Sequence, residues 1–238
     1  MEGRRLADYE KKVAEVFDHS IFVTDSEVKI FKNKNPHIKN ITAISNGVDL
    51  DYFSPVFSQR QATRNQLASG NQPPETSNQQ PVIVFTGVMN YFANVDGVVW
   101  FSKEILPLIK KEIPGIRFYI VGSNPTKEVL SLALDSSVTV TGYVPDTREY
   151  LNMATVVAAP LRIARGIQNK VLEAMAMGIP VVATPQAFEG INATPHKDLL
   201  VEDNPGDFAQ GVVRLLHDAT LRNELRNNTR CKIEANYS

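Results

Sequence analysis

Cysteine is almost missing: Cys231 is the single one in 238 residues, so no internal disulfide can form, and a reducing compartment suits the chain. No apolar run approaches the roughly 20 residues of a membrane span, and no secretory signal opens the sequence. The formal net charge is −1 and no long basic block occurs, which argues against nucleic acid as a partner. There is no glycine-rich phosphate loop ending in Gly-Lys-Ser/Thr, and no Cys/His cluster with metal-ligand spacing, so no metal is assigned. Asn192-Ala193-Thr194 fits a glycosylation pattern, which is meaningless in a cytoplasmic chain. These absences leave the expectation of a soluble cytoplasmic α/β protein of one or two domains, long enough to bury a sizeable core.

What is present is organised around residues 156–184, VVAAPLRIARGIQNKVLEAMAMGIPVVAT. The pattern predicts a strand over 156–161, a polar turn over 162–168, a helix over 169–177 and a second strand over 181–184. Leu172, Met175 and Ala176 recur three and four apart, so one helix face is apolar and packs on a sheet. Gly178 stops that helix and Pro180 cannot continue it. Strands so rich in Val and Ala are those of a parallel sheet buried on both faces. Ligands of such sheets bind beyond the carboxyl ends of the strands, where a helix N-terminus offers free N–H groups to an anion. Residues 162–170 are therefore the first place to look for a phosphate, with Arg162, Arg165 and Lys170 adding positive charge there.

Upstream, residues 1–19 predict an amphipathic helix with Leu6, Tyr9, Val13 and Val16 on one face, and a strand follows over 20–24. Asp25 or Ser26 is expected to cap the next helix, and a second strand starts at Ile41 and ends at the Asn46-Gly47 turn. Two short strands and two short helices cannot close a core alone, so residues 1–53 read as the end of a larger domain plus an interdomain segment. Residues 54–81 are rich in Gln, Asn, Ser, Thr and Pro, the composition of a linker or loop. From residue 82 to the end, strands alternate with helices, with Asp146 expected to cap the helix carrying Tyr150 and Leu151. Gly87, Gly122 and Gly142 stand at strand ends, where they serve either a turn or the close approach of a ligand. The fold class expected is α/β, a Rossmann-like doubly wound parallel sheet.

Several stretches carry a resemblance. Asn46-Gly47-Val48-Asp49 with Phe53 and Pro55, Phe85-Thr86-Gly87, Val140-Thr141-Gly142-Tyr143-Val144, and above all LEAMAMGIPVVA from Leu172 resemble glycosyltransferase family 4. The subgroup with Gly87-Val88-Met89, Tyr91, Asn94-Val95-Asp96 and Gln168-Asn169-Lys170-Val171-Leu172-Glu173 is similar to sugar transferases of exopolysaccharide and exosortase loci. The resemblance implies the C-terminal, donor-binding domain of a two-domain GT-B fold. It further implies a retaining transfer of a sugar from a nucleotide-diphosphate sugar, the substrate, to an acceptor hydroxyl, with no cofactor and no metal required. Donor-binding residues implied are Gly87, Tyr91, Asn94, Gly122, Gly142, Tyr143, Val144, Arg162, Arg165, Gly166, Ile167, Gln168, Lys170 and Glu173. Glu173 would hold the ribose hydroxyls and the 142–144 backbone would meet the base.

Two departures stand out. Arg165 occupies the position of the family's first glutamate, and the cations that relatives carry after the first strand of this domain are replaced by Val88 and the 93–94 region. The resemblance also begins only at the family's second half. The expectation is thus a donor-binding fragment, inactive alone, whose catalytic residues are unassigned. A glycan or lipid-linked acceptor would be met by the absent N-terminal domain, and peripheral membrane association of the full enzyme stays open. A GT-B sugar-nucleotide epimerase and a non-catalytic nucleotide- or protein-binding module are the rival readings.

Overall fold

The computed structural model describes residues 2–55 and 80–237. Most of the stretch read as a linker, residues 56–79, lies outside the described residues. The chain begins with helix α1 (Glu2–Val16), strand β1 (Ser20–Phe22), helix α2 (Asp25–Lys34) and strand β2 (Ile41–Ala43). The two strands pair in parallel around a small core of Ala14, Val28, Phe31, Ile38 and Ile41.

Two sequence expectations are corrected here. On α1, Leu6, Tyr9 and Val16 are exposed and Ala14 is the buried residue. A two-stranded sheet is too narrow to cover the whole apolar stripe, and the helix is anchored instead near its end, where Asn40 Nδ2 donates to the carbonyls of Ala14 and Phe17. The cap of α2 is Thr24, not Asp25 or Ser26: Thr24 Oγ1 accepts the Glu27 N–H at 3.1 Å and donates to Glu27 Oε2 at 3.0 Å. The Thr-x-x-Glu spacing closes a reciprocal cap that neither neighbour can form.

The larger part continues with β3 (Val82–Thr86), α3 (Phe92–Trp100), a π-turn (Phe101–Ile105), α4 (Leu106–Glu112), β4 (Arg117–Val121), α5 (Lys127–Ser131) and β5 (Val138–Val140). It then runs through α6 (Arg148–Met153), β6 (Val156–Ala159), α7 (Asn169–Ala176), β7 (Val181–Ala183), α8 (Pro185–Phe188), β8 (Leu200–Val201), α9 (Pro205–His217) and α10 (Ala219–Asn236). Pro107 explains the π-turn, since it has no N–H for an upstream carbonyl and its ring needs room in the preceding turn. At α6 the cap position is Thr147, one residue beyond the expected Asp146, although the Asp146 carboxylate still accepts the Arg148 N–H at 2.9 Å.

Six parallel strands form one sheet in the order β5-β4-β3-β6-β7-β8. All residues of β6 and β7 are buried, because α7 packs against them on one face and α9 on the other. Helix α10 backs α7, and Tyr237 just beyond it accepts the Val48 N–H on its carbonyl. Val48, Leu50 and Phe53 pack on this larger core, so the segment after β2 lies against the six-stranded sheet's domain. Successive strands step outward from β3 to β5, then the chain returns to place β6 on the other side of β3. That reversal opens a crevice at the carboxyl ends of β3 and β6.

The strand-end glycines differ in what they are needed for. Gly122 has φ +149°, and a Cβ there would stand 1.7 Å from the Gly87 carbonyl oxygen, so no side chain fits. Gly142 has φ +70° with open space around it, so only its backbone conformation calls for glycine. Gly122→Ala is expected to destabilise the chain by more than about 2 kcal/mol and Gly142→Ala by about 1 kcal/mol, as read by urea unfolding. A second expectation concerns Asp135 in the turn before β5. It accepts from Lys110 Nζ at 2.8 Å on both oxygens and from the Ser137 N–H and hydroxyl, which hold its pKa down at about 2 against an ordinary 3.8. Its contribution is therefore full above 3.8 and is lost as pH falls through about 2. Asp135→Asn should cost roughly 1 kcal/mol near neutrality, modest because the pair is partly exposed, and should flatten the acid limb of a stability profile.

Candidate functional site

The crevice has a volume of about 450 Å³ and is built from four strand or helix ends and one preceding segment. Thr86, Gly87 and Val88 come from the end of β3, and Val121, Gly122 and Ser123 from the end of β4. Tyr143, Val144 and Thr147 follow β5, Lys170 and Glu173 project from α7, and Tyr52 and Phe53 close one side. Of the residues expected from sequence, Gly87, Gly122, Tyr143, Val144, Lys170 and Glu173 meet here. Lys170 and Glu173 are one helical turn apart, so both reach the same side of α7.

The remaining expected residues lie outside the lining. Tyr91 is exposed and precedes α3, while Asn94 is buried behind the lining. Gly142 sits one residue before it. Arg162 is committed to Asp96, with Nη2 at 2.5 Å from Oδ1 and Nε at 2.9 Å from Oδ2, and stacks 5.5 Å over Trp100. Arg165 is 83 % exposed, 3.8 Å from Glu189, and faces a separate hollow with Thr24, Ser26, Glu27 and Gly166. Ile167 is buried. Gln168 stands at the cap position of α7 but turns its side chain back, its Nε2 donating to the Gly166 carbonyl at 3.2 Å. Among the lining residues Lys170 is thus the one cation.

Burial acts on the two α7 side chains in opposite directions. It lowers the Lys170 pKa to about 8, against an ordinary 10.5, with Glu173 partly offsetting the shift. It raises the Glu173 carboxyl, offset by Lys170. No ion pair within 4.0 Å joins them among the described residues, so each charge remains available to a ligand. The sign for stability follows: holding a charged Lys170 costs stability below about 8, and that cost is relieved as pH rises from there toward 10.5.

Thr86, Val88, Val121, Ser123, Thr147, Tyr52 and Phe53 were not anticipated as lining residues. The first four were findable, since they flank the strand-end glycines. Phe53 belongs to the Asn46-Gly47-Val48-Asp49 stretch. There the Asp49 carboxylate accepts the Tyr52 N–H at 2.8 Å, and Asn46 Nδ2 reaches Asn169 Oδ1 at 3.0 Å, bringing the segment against the head of α7. The face of Tyr52 is covered by the Arg148 guanidinium at 3.7 Å, a packing contact that no local pattern announces. No helix among the described residues is long and apolar enough to cross a membrane.

Comparison with known proteins agrees with this architecture. HepE of Anabaena, solved in complex with UDP and glucose, superposes with a TM-score of 0.74 at 15% identity, over 98% of this chain and 62% of its own. TarM of S. aureus, solved with UDP, superposes with a TM-score of 0.71 at 19% identity, over 97% of this chain and 43% of its own. A Klebsiella pneumoniae protein, described as an uncharacterized 44.6 kDa protein in the cps region, is 22% identical over 163 residues, 65% of this chain and 42% of that protein. The chain thus spans less than half the length of that curated relative. At these identities the likeness shows the fold, that of the C-terminal domain of GT-B glycosyltransferases. Residues 80–218, more than half of the chain and the whole of the six-stranded sheet, match the family described as Glycosyl transferases group 1, and the chain belongs to that family.

Proposed function

We propose that the crevice binds the donor of a retaining glycosyltransferase of family 4 type, a nucleotide-diphosphate sugar. The observation that carries this reading is the pairing on α7: one cation and one carboxylate, a turn apart, open into the same crevice at the reversal of strand order. A nucleoside diphosphate needs both. Lys170 faces the diphosphate, whose charge requires cationic or N–H partners in a low-dielectric cleft. The carboxylate of Glu173 accepts hydrogen bonds from ribose hydroxyls, and the backbone and aromatic ring around Tyr143 and Val144 meet the base. That TarM and HepE are solved in complex with UDP supports a nucleotide as the ligand.

In the transfer, the bond between the sugar's anomeric carbon and the diphosphate oxygen breaks, and the acceptor oxygen bonds that carbon on the same face while its proton passes to the departing diphosphate. Negative charge grows on the departing diphosphate, and Lys170 with the first N–H groups of α7 stabilises it as it forms. The donor is a substrate, and the reading assigns no cofactor or metal. Acceptor contacts and the catalytic groups next to the acceptor are assigned to a partner domain, so residues 1–238 alone bind donor without turnover. The cps-region relative supports a role in polysaccharide or glycoconjugate synthesis, and the reading assigns the transfer to the cytoplasm.

Calorimetry against UDP, ADP, GDP and CDP tests the reading: selective binding of one of them is expected, and binding of none overturns it. Glu173→Ala should weaken the preferred nucleotide and its parent nucleoside alike by about tenfold, while Lys170→Met should weaken only the diphosphate, again by about tenfold. Affinity for the diphosphate should decline as pH rises through about 8 in the unaltered chain, and Lys170→Met should remove that limb. Equal loss of nucleoside and diphosphate affinity in Lys170→Met would take the lysine out of the phosphate subsite.

A further inference from the structure

The ammonium of Lys170 does not dangle in the crevice. Its Nζ donates to Asn94 Oδ1 at 2.5 Å and lies 4.5 Å from the centre of the Phe85 ring. A Cβ on residue 87 would meet this Nζ at 3.3 Å and Asn94 Nδ2 at 2.7 Å, so the lysine and the amide occupy the space that glycine leaves free. Asn94 itself is only 6 % exposed and lies behind the lining of the crevice rather than in it. Its two polar atoms have distinct partners: Nδ2 donates to the Val88 carbonyl at 2.9 Å and Oδ1 accepts from Lys170.

That division of partners fixes the amide's orientation. The carbonyl of Val88 can only accept, so the amide nitrogen must face it and the amide oxygen must face the lysine, which can only donate. The chemistry of an amide suits a diphosphate site better than a carboxylate would. A carboxylate at 94 would neutralise the lysine and compete with the anion, whereas an amide oxygen aims the ammonium and leaves its charge whole. A lysine side chain also loses considerable rotamer freedom when it grips a ligand, and a side chain already held in place loses less on binding. The charged group acting on Lys170 is Glu173 on its own helix. From the β3 side it meets the neutral Asn94 and Phe85.

We propose that Asn94 is a positioning residue. It does not touch the donor but holds the Lys170 ammonium against the Gly87 edge and ties it to the Val88 carbonyl, so that the loop after β3 and the cation on α7 meet the diphosphate as one unit. This rests on the diphosphate reading of the crevice given above. The phosphate-binding cation thereby comes from a helix on the far side of the strand reversal, and Asn94 is the link that delivers it to the β3 loop.

The test pairs affinity with a titration that needs no ligand. UDP and uridine binding are measured by calorimetry for the unaltered chain, Asn94→Ala, Lys170→Met and the double variant. The ammonium of Lys170 is followed by NMR in chain labelled at the lysine ε-carbon, its signal assigned by its loss in Lys170→Met. Asn94→Ala should weaken UDP about fivefold, leave uridine unchanged and add nothing in the Lys170→Met background. It should also lower the proton affinity of Lys170 by about threefold, because an acceptor for the charged form is lost, whereas the near-isosteric Asn94→Asp should raise it. Additive losses in the double variant, equal loss of uridine binding, or a Lys170 titration indifferent to residue 94 would each overturn the positioning role. If Asn94→Ala does not fold, Asn94→Asp decides: an unmoved titration overturns the role and a raised one supports it. Should the unaltered chain bind neither UDP nor uridine while the Lys170 titration still follows residue 94, the nucleotide reading falls with UDP as its probe, and the Asn94–Lys170 coupling stands.

Discussion

The bare backbone at residues 87 and 122 is the constraint on which the site depends. The carbonyl of Gly87 lies where a side chain on residue 122 would begin, and the ammonium of Lys170 lies beside where a side chain on residue 87 would stand. The ends of β3 and β4 approach closely for that reason, and their loops are linked by the Met89 N–H donating to the Ser123 carbonyl at 2.7 Å. Because β3 also borders the reversal of strand order, this tight corner becomes one wall of a crevice whose opposite wall is the head of α7. The glycines thus act by letting protein approach protein, and the room for a ligand follows from that approach.

Charge is distributed around the crevice sparingly. The two arginines of the loop before α7 are engaged elsewhere, one with Asp96 and the other beside Glu189. What faces the crevice is a lysine whose charge is made costly by burial and a carboxylate whose charge is made costly in the same way. Each eases the other across one helical turn without forming a direct ion pair. A ligand that brings an anion to the first and hydroxyl groups to the second relieves both, which is the complementarity expected between a preorganised polar site and a nucleoside diphosphate.

Much of the architecture was legible because parallel strands buried on both faces leave a strong record. The runs at 156–159 and 181–183 are nearly all Val and Ala, and the α7 face of Leu172, Met175 and Ala176 is spaced for a helix on a sheet. Lys170 is legible as a cation at the head of that helix and Glu173 through the family resemblance, while their opening into one crevice is what the structure adds. On the first helix the apolar spacing of Leu6, Tyr9 and Val16 is real, but there is too little sheet beneath it to cover them. At the cap of α2, Asp25 and Ser26 are equally good capping types by sequence, and the reciprocal bond of Thr24 with Glu27 decides among them.

The sequence by itself determined the alternating parallel sheet and the helix that carries Lys170 and Glu173. Hydrophobic periodicity and punctuation by glycine and proline are local, and they act before any long-range contact forms. Only the tertiary structure decided which of three neighbouring cations enters the crevice, that Asn94 stands behind Lys170, and that Tyr52 and Phe53 wall the far side. Those outcomes depend on pairs separated by tens of residues, Asp96 with Arg162, Asn94 with Lys170 and Tyr52 with Arg148. A charge or an amide in a loop has many partners within reach until the chain has packed, and it is packing that leaves one.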